Sequence, residues 1–173
     1  RLTPGATHFQ RFNDFVFDDP AREFASEPEK IFEGALDAKG GAEFERSVEL
    51  ASPPPGMLTA NFTTRVFERG GAFSIMRDSA DYAPYARLVG MRLPKGDAAR
   101  GMLQTDQDHI VELASVTASG QPLAVSRIRV TLYKIDWRWW WEKGGESLAR
   151  FVESRGSSVI SETTLATDAN GRA

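Results

Sequence analysis

Apolar and polar side chains alternate along several stretches of the chain, and this period of two is typical of half-buried β-strands. The clearest stretch is Leu58–Val66, which is followed by the turn residues Arg69-Gly70-Gly71 and then by Phe73 and Ile75. It predicts a β-hairpin. Related patterns predict further strands over Tyr82–Met91, Ile110–Val116, Val125–Trp141 and Val159–Leu165.

The residues before this hairpin predict one more strand and a second hairpin. Phenylalanines alternate with polar residues over 8–24 until Asp18-Asp19-Pro20 ends the pattern, so we expect a strand followed by a loop. Ala42–Leu50 alternates as well, and Asp37-Ala38-Lys39-Gly40-Gly41 before it supplies turn residues. We expect 31–36 to pair with 42–50.

The long strand predicted over Val125–Trp141 changes its apolar face part-way. Ile128, Val130 and Leu132 share one face, whereas Tyr133 and the alternate residues after it share the other. We therefore expect a β-bulge between Leu132 and Tyr133, or a strand covered on both faces. Beyond it, apolar residues at helical spacing predict a short helix over 146–155.

Two turn sequences, Asp37-Ala38-Lys39-Gly40 and Asp168-Ala169-Asn170-Gly171, are similar and lie 168 − 37 = 131 residues apart. This similarity suggests an internal repeat. A polar segment rich in strand-breaking residues lies over 94–100 and is the expected boundary. The sequence thus predicts two β-domains: 1–94, without its opening strands, and 100–173, without its closing strands.

Composition narrows the class of protein. The chain has 21 Lys and Arg against 24 Asp and Glu, for a formal net charge of −3, which argues against a nucleic-acid-binding surface. It has no cysteine, so it forms no disulfide, thiol nucleophile or thiolate metal site. No run of about 18 apolar residues predicts a membrane span, and the first residues do not predict a signal peptide.

Candidate catalytic and metal-binding residues are few. Asp106, Asp108 and His109 lie close in sequence, but a solvated loop is the simpler interpretation because the glycine and distal acidic ligand of a calcium loop are missing. Asp18 and Asp19 fit a turn better than a glycosidase pair. Since no hydrolase, phosphate-loop or dinucleotide motif occurs, we expect no enzymatic activity, no cofactor and no metal.

All four tryptophans lie within residues 137–141. Such a cluster marks a packing seam, a domain interface or a ligand platform, because each ring combines a large apolar surface with one N–H donor. The nearby Asp136 and Glu142 argue against a nucleic-acid platform. A carbohydrate-binding β-sandwich is the alternative, on the strand face shared by Trp137, Trp139 and Trp141. We favour packing or domain-interface residues, namely Tyr133, Trp137, Arg138, Trp139, Trp140 and Trp141.

Several segments together resemble the bacterial alpha-2-macroglobulins. The specific one is Leu132-Tyr133-Lys134-Ile135-Asp136-Trp137-Arg138-Trp139-Trp140-Trp141-Glu142, and Leu148-Ala149-Arg150-Phe151 and Thr167–Gly171 follow it. Upstream, residues 60–71, 82–85 and 89–92 resemble the same family. The resemblance covers most of 57–171.

The resemblance implies antiparallel β-sandwiches of macroglobulin-like type, similar to immunoglobulin and fibronectin domains, within a large periplasmic protease trap. In such proteins a protease cleaves a bait segment, and a thioester made from Cys and Gln captures the attacker. This chain has no cysteine and so lacks that thioester. We expect a non-catalytic scaffold in a periplasmic endopeptidase inhibitor, with neighbouring domains and target proteases as the parent's partners. Open sheet edges also predict strand exchange with a second copy.

Overall fold

The computed structural model describes residues 1–134 and 158–173. Within them the regular structure is β apart from one 3₁₀ helix, Gln10–Phe12, so the predicted all-β class is confirmed. Three antiparallel sheets form, β1-β2-β3, β4-β5 and β6-β7. The same two ranges contain no helical segment with the length and hydrophobicity of a membrane span. The strands are β1 (Leu2–Pro4), β2 (Leu58–Phe67), β3 (Phe73–Tyr82), β4 (Arg87–Arg92), β5 (Glu112–Thr117), β6 (Ile128–Lys134) and β7 (Ser158–Leu165).

The hairpin predicted around Gly70-Gly71 is confirmed. β2 and β3 pair without interruption from Leu58 opposite Tyr82 to Phe67 opposite Phe73. Gly71 has a φ of 86°, which residues with a Cβ disfavour, so the turn sequence fits its backbone. Turn chemistry and strand alternation therefore select the same register.

Four tight turns among the described residues share one hydrogen-bond pattern. In each, the first residue donates its N–H to the carbonyl four residues on, and a glycine three residues on donates to the first residue's carbonyl. The glycines have φ between 69° and 86°, as in a type I turn followed by a glycine bulge. These turns begin at Asp37, Glu68, Thr117 and Asp168.

The turns at Asp37 and Asp168 are the two with similar sequences, and they also share a side-chain cap. Each carboxylate oxygen Oδ1 accepts two backbone N–H bonds of 2.8–2.9 Å, from Lys39 and Gly41 in the first turn and from Asn170 and Arg172 in the second. Backbone bonds of this kind, led by those from Gly41 and Arg172, lower the pKa of both carboxyls. The sequence similarity therefore reflects one turn structure used twice.

The buried core lies on one face of the β4–β5 pair. Phenylalanines from the first residues of the chain meet one another edge to face there, with ring centroids 5.8 Å apart for Phe12 and Phe15 and 6.3 Å apart for Phe12 and Phe17. The Phe17 ring can pack against β4 because residue 90 is a glycine: a Cβ at this position would lie 2.7 Å from the ring. The buried members of the core are Phe12, Phe15, Phe17, Leu88, Ala114 and Val116.

Strand β5 has backbone partners on both sides. β4 lies on one side, and on the other Leu113 and Ala173 exchange N–H···O bonds of 2.8 and 3.1 Å. Beyond β4, Val16 and Met91 exchange two bonds of 2.9 Å. β4 and β5 are thus the middle of a small sheet whose outer positions come from early and late residues of the chain.

A buried pair of hydroxyl groups attaches the segment after β7 to β5. The hydroxyl oxygens of Ser115 and Thr167 lie 2.7 Å apart, and Ser115 also donates to the Leu123 carbonyl at 2.5 Å. Thr167 accepts the Val125 N–H at 2.9 Å. Because a buried hydroxyl is costly unless it is hydrogen-bonded, these contacts fix the loop before β6 and the segment after β7 together.

The strand predicted over 8–24 is wrong. The chain there forms the 3₁₀ helix and a loop, and Val16 makes one isolated bridge to Met91. Phe12 and Phe15, three residues apart, both reach the core, which a regular strand would not allow. The aromatic pattern marked core residues correctly but not the backbone that carries them.

The strands predicted over 31–36 and 42–50 are also wrong, although the turn between them forms. The segments on either side of the turn meet through side chains. The Phe32 and Phe44 rings stack with centroids 4.8 Å apart, and Arg46 Nη2 lies 2.7 Å from Glu29 Oε1. Almost every residue of both flanks is exposed. With no buried face to fix a register, alternation alone does not produce a ladder.

The prediction over Tyr82–Met91 merged two elements. Tyr82 is the last residue of β3, and β4 begins at Arg87. Pro84 lies between them and has no N–H for a ladder.

The pairing of β6 with β7 confirms the irregularity predicted at Leu132 and Tyr133. Leu132 pairs with Ser161 but Tyr133 pairs with Val159, so the register shifts at this point and Ile160 has no opposite residue on β6. The rest of the predicted long strand, from Ile135 onward, and the helix predicted over 146–155 lie outside the described residues.

The loop between β4 and β5 contains the predicted boundary at 94–100. Asp97 organises it: its carboxylate accepts the N–H groups of Ala99 and Arg100 at 3.0 and 2.7 Å, and its own N–H donates to the Met102 carbonyl at 2.9 Å. β4 and β5, on either side of this loop, pair with each other. The division into 1–94 and 100–173 stays a prediction.

Gly90→Ala should destabilise the fold by about 1–3 kcal/mol, the usual cost of overpacking a core, because the added methyl group meets the Phe17 ring. Gly70→Ala is the matched control, since no atom lies within 4 Å of its added Cβ. Urea unfolding followed by circular dichroism measures both. Equal midpoints for the two variants would contradict the packing described here.

Candidate interaction surface

Of the residues predicted to form a packing or interface cluster, the structure describes Tyr133. It is partly exposed and lies at the bulge between β6 and β7. The others, Trp137, Arg138, Trp139, Trp140 and Trp141, lie outside the described residues, so their role stays a prediction.

One face of the β2–β3 hairpin is largely apolar and uncovered over its outer part. Phe62 and Val66 are each 40% exposed and Met76 is 64% exposed. The opposite face is mixed: it carries Asn61, Arg65 and Arg77, and toward the turn also the exposed apolar side chains of Phe67, Phe73 and Ile75. We call the first surface the hairpin face; strand pairing places on it Ala60, Phe62, Thr64, Val66, Ser74, Met76, Asp78 and Ala80.

The hairpin face starts at the buried part of the protein and extends away from it. Leu58, on the same face at the start of β2, is 1% exposed. From 61 to 81 every residue is exposed. Two strands alone cannot bury either of their faces, and a group of exposed apolar side chains marks an interaction surface. The hairpin face is therefore the candidate interaction surface.

The β6–β7 strand pair has a similar arrangement. Ile128, at the start of β6, is buried, whereas Leu132, Val159 and Ile160 are each more than half exposed. The β2–β3 hairpin and the β6–β7 strand pair thus each combine a buried base with exposed apolar side chains further along.

An ion cluster lies at the end of the β4–β5 pair. Arg92 and Glu112 are opposite each other in the register and pair directly. Arg172 Nη1 is 3.9 Å from Glu112 Oε2, and Arg92 Nη1 is 3.5 Å from Asp14 Oδ2. The hydrogen bond from Arg92, aided by the positive charges of both arginines, lowers the pKa of Glu112.

Both arginines of the ion cluster also lie over phenylalanine rings of the core. The Arg92 guanidinium carbon is 5.4 Å from the Phe15 centroid, and that of Arg172 is 5.3 Å from Phe12 and 5.4 Å from Phe15. These distances are within the range of cation–π attraction. The ion cluster therefore attaches residue 172 to the segment 9–17 that carries the core phenylalanines, which we call the aromatic loop. Sequence reasoning missed it, because its members are far apart in sequence and meet only through the fold.

The carboxylates and the histidine considered for chemistry make local contacts. Asp18 accepts the backbone N–H of Thr7 at 3.0 Å as well as its hydroxyl, and Asp19 accepts an N–H two residues on at 3.0 Å. His109 Nε2 is 2.7 Å from the Gln104 carbonyl. Within 1–134 and 158–173, no group of three His, Cys, Asp or Glu side chains is arranged to hold a metal.

A family model matches the second half of the sequence. Residues 90–173, from within β4 to the last turn, match bacterial macroglobulin domain 6. Residues 90–173 thus belong to a bacterial macroglobulin domain, and the match supports a fragment of a bacterial alpha-2-macroglobulin-like protein. The match confirms the resemblance read from the sequence, and the antiparallel sheets agree with a macroglobulin-like fold. No curated protein and no solved structure matches the chain.

The matched residues 90–173 include Arg92, Glu112 and Arg172 of the ion cluster and the core residues of β5, so the cluster predicts a pH dependence of stability. The folded-state pKa of Glu112 is below its ordinary value of 4.5. A depressed carboxyl pKa stabilises the folded state at pH values above the ordinary pKa, and this stabilisation is lost as the pH falls through the folded pKa. Glu112→Gln should therefore be less stable than wild type at pH 7, and the difference should shrink steadily below pH 4.5.

Thermal unfolding at a series of pH values tests this expectation. Glu49→Gln, which removes one exposed negative charge away from the cluster, is the control for net charge. A Glu112→Gln deficit that is the same at pH 7 and at pH 3 would show that the Arg92 and Arg172 contacts do not depend on the Glu112 charge.

Proposed function

We propose that this alpha-2-macroglobulin-like chain is a non-catalytic scaffold within a bacterial protease inhibitor of the protease-trap type. The family match over 90–173 carries the proposal. Three carboxylates that make structural contacts agree with it: Asp168 caps a turn, Glu112 belongs to the ion cluster, and Asp18 binds Thr7. None of these arrangements resembles an acid–base pair placed over a cavity.

The chain cannot supply a covalent trap itself. A thioester of the family type needs a cysteine, and the chain has none. On this proposal, covalent capture of a protease depends on another part of the inhibitor. On this proposal the contribution of the chain is mechanical: its core and ion cluster hold the β4–β5 pair, the early phenylalanines and the last turn together while other parts of the inhibitor rearrange.

Neighbouring domains of the parent protein are the proposed direct partners of this chain, and target proteases are the partners of the parent. The hairpin face supports contact with another domain, since an apolar surface left in water is a liability for solubility. Family membership is the basis for the proposed periplasmic location.

Val116→Asp should abolish protease capture by the full-length inhibitor. Val116 is fully buried in the core, and an unpaired carboxylate there costs several kcal/mol, enough to unfold the domain. The measurement is the yield of covalent inhibitor–protease adduct on a denaturing gel after incubation with trypsin.

Val89→Asp is the matched control, because Val89 is 41% exposed on the other face of the same strand pair and should tolerate a charge. Its adduct yield should stay near that of wild type. The isolated chain should form no adduct and slow no protease. Inhibition of trypsin by the isolated chain would overturn the scaffold role, as would a full adduct yield from an inhibitor whose Val116→Asp domain is demonstrably unfolded.

A further inference from the structure

The last turn, which begins at Asp168, contains an asparagine followed directly by a glycine. Such a pair is chemically labile, because the backbone nitrogen of the second residue can attack the side-chain amide carbon of the first, and a glycine without a Cβ hinders this approach least. Asn170 is exposed to water. The sequence has two other asparagines, Asn13 and Asn61, and each is followed by a residue with a bulky side chain. Asn170 is therefore the asparagine at risk.

Packing against β5 requires the glycine of this pair. Gly171 is buried and has a φ of 69°, and a Cβ at this position would lie 2.3 Å from the Ser115 carbonyl oxygen. Its own carbonyl accepts the Ser115 N–H at 2.8 Å. The positive φ and the contact with β5 both disfavour any other residue. The labile pair can therefore be removed by changing Asn170 but not by changing Gly171.

The turn that begins at Asp37 shows that asparagine is not required before the glycine. It has the same backbone bonds and the same aspartate cap, with Lys39 at the position of Asn170. The cap uses the backbone N–H of this position, which every residue except proline supplies. Lysine in one turn and asparagine in the other therefore give the same structure with different chemical stability.

The closed turn holds back the reaction of Asn170. The Gly171 N–H donates to the Asp168 carbonyl at 2.9 Å, and Asp168 Oδ1 accepts the N–H groups of Asn170 and Arg172 at 2.9 and 2.8 Å. The attacking nitrogen is thus buried and hydrogen-bonded while the turn is closed. It becomes available when the turn opens locally, so the rate of attack follows the population of the open turn.

We propose that Asn170 is a site of deamidation controlled by opening of the last turn, and that its isoaspartate product detaches this turn from β5. The Gly171 nitrogen gives up its proton and forms a bond to the side-chain amide carbon of Asn170. The C–N bond to the amide NH₂ group breaks, and ammonia leaves. Water then opens the resulting succinimide ring to give aspartate or isoaspartate. Water is the only co-reactant.

Isoaspartate at position 170 lengthens the main chain, because the backbone then runs through the side-chain carbons. The residues that follow are fixed on β5: Gly171 accepts the Ser115 N–H, and Ala173 exchanges two bonds with Leu113. Arg172, between them, reaches the ion cluster. A main chain with an extra carbon does not close the same hydrogen-bonded turn while these contacts keep their positions. The product therefore weakens the attachment of the last turn, and no step restores the asparagine.

Timed incubation of the 173-residue chain, followed by peptide mapping with mass spectrometry, tests the site. Amide loss at Asn170 should be at least about tenfold faster than at Asn13 or Asn61, and faster again in urea, which keeps the turn open. Asp168→Ala should accelerate the loss by roughly tenfold, because two charge-assisted bonds no longer keep the turn closed. Asp37→Ala, the matched change in the other turn, should leave the rate at Asn170 unchanged.

Amide hydrogen exchange, followed by NMR, tests the detachment. In the isoaspartate fraction, exchange should be about tenfold faster or more at Leu113 and Ser115, whose N–H groups bond to the last turn. Ala114 and Val116 direct their N–H groups to β4 and should keep their rates. Asn170→Lys copies the Asp37 turn, so this variant should fold as wild type does and show no change with time.

Amide loss at Asn170 no faster than at Asn13 and Asn61 would overturn the proposal. Equal rates in wild type and Asp168→Ala, with both variants folded by circular dichroism, would overturn control by the turn. Unchanged exchange at Leu113 and Ser115 after isoaspartate has formed would overturn the detachment. None of these measurements uses protease capture, so the proposal fails or holds independently of the scaffold role.

Discussion

The packing of three phenylalanine rings on the β4–β5 pair is the constraint on which the rest of the structure depends. Two strands alone do not form a stable sheet, and this pair acquires a buried face from Phe12, Phe15 and Phe17. Each buried ring contributes roughly 1.5–3 kcal/mol through its apolar surface. The aromatic loop therefore belongs to the domain as fully as any strand does, although its backbone is irregular.

Other features follow from this packing. The absence of a side chain at Gly90 lets Phe17 approach the strand, and the arginines of the ion cluster cover the remaining ring faces. Arg172 connects the aromatic loop to the last turn, which in turn pairs with β5 and is held near the Ser115–Thr167 hydroxyl pair. Early and late residues of the chain are thus fixed on the same strand pair.

Features determined by nearby residues could be predicted from the sequence, and features determined by tertiary packing could not. The β2–β3 hairpin, its Gly71 turn and the irregularity at Tyr133 depend on short-range pattern and turn chemistry, and all were found. The strands expected over 8–24 and 42–50 were wrong because alternation says nothing about whether a partner or a core is present. The ion cluster could not be predicted, because it depends on the β4–β5 register and on the position of Arg172. Neither follows from a local sequence pattern. The alternation over 58–66 predicted which side chains of β2 share the hairpin face. It did not predict that this face is exposed.

The Asp97 turn has a consequence for how this domain can vary in evolution. The backbone bonds of this turn are closed within 97–102, and the strands on either side of the loop are held by the core rather than by the loop itself. The entropy cost of a longer connection grows only with the logarithm of its length, so inserted residues here add little to the free energy of folding. The β4–β5 connection is therefore a position at which sequence can be gained or lost while the aromatic packing beneath it is inherited unchanged.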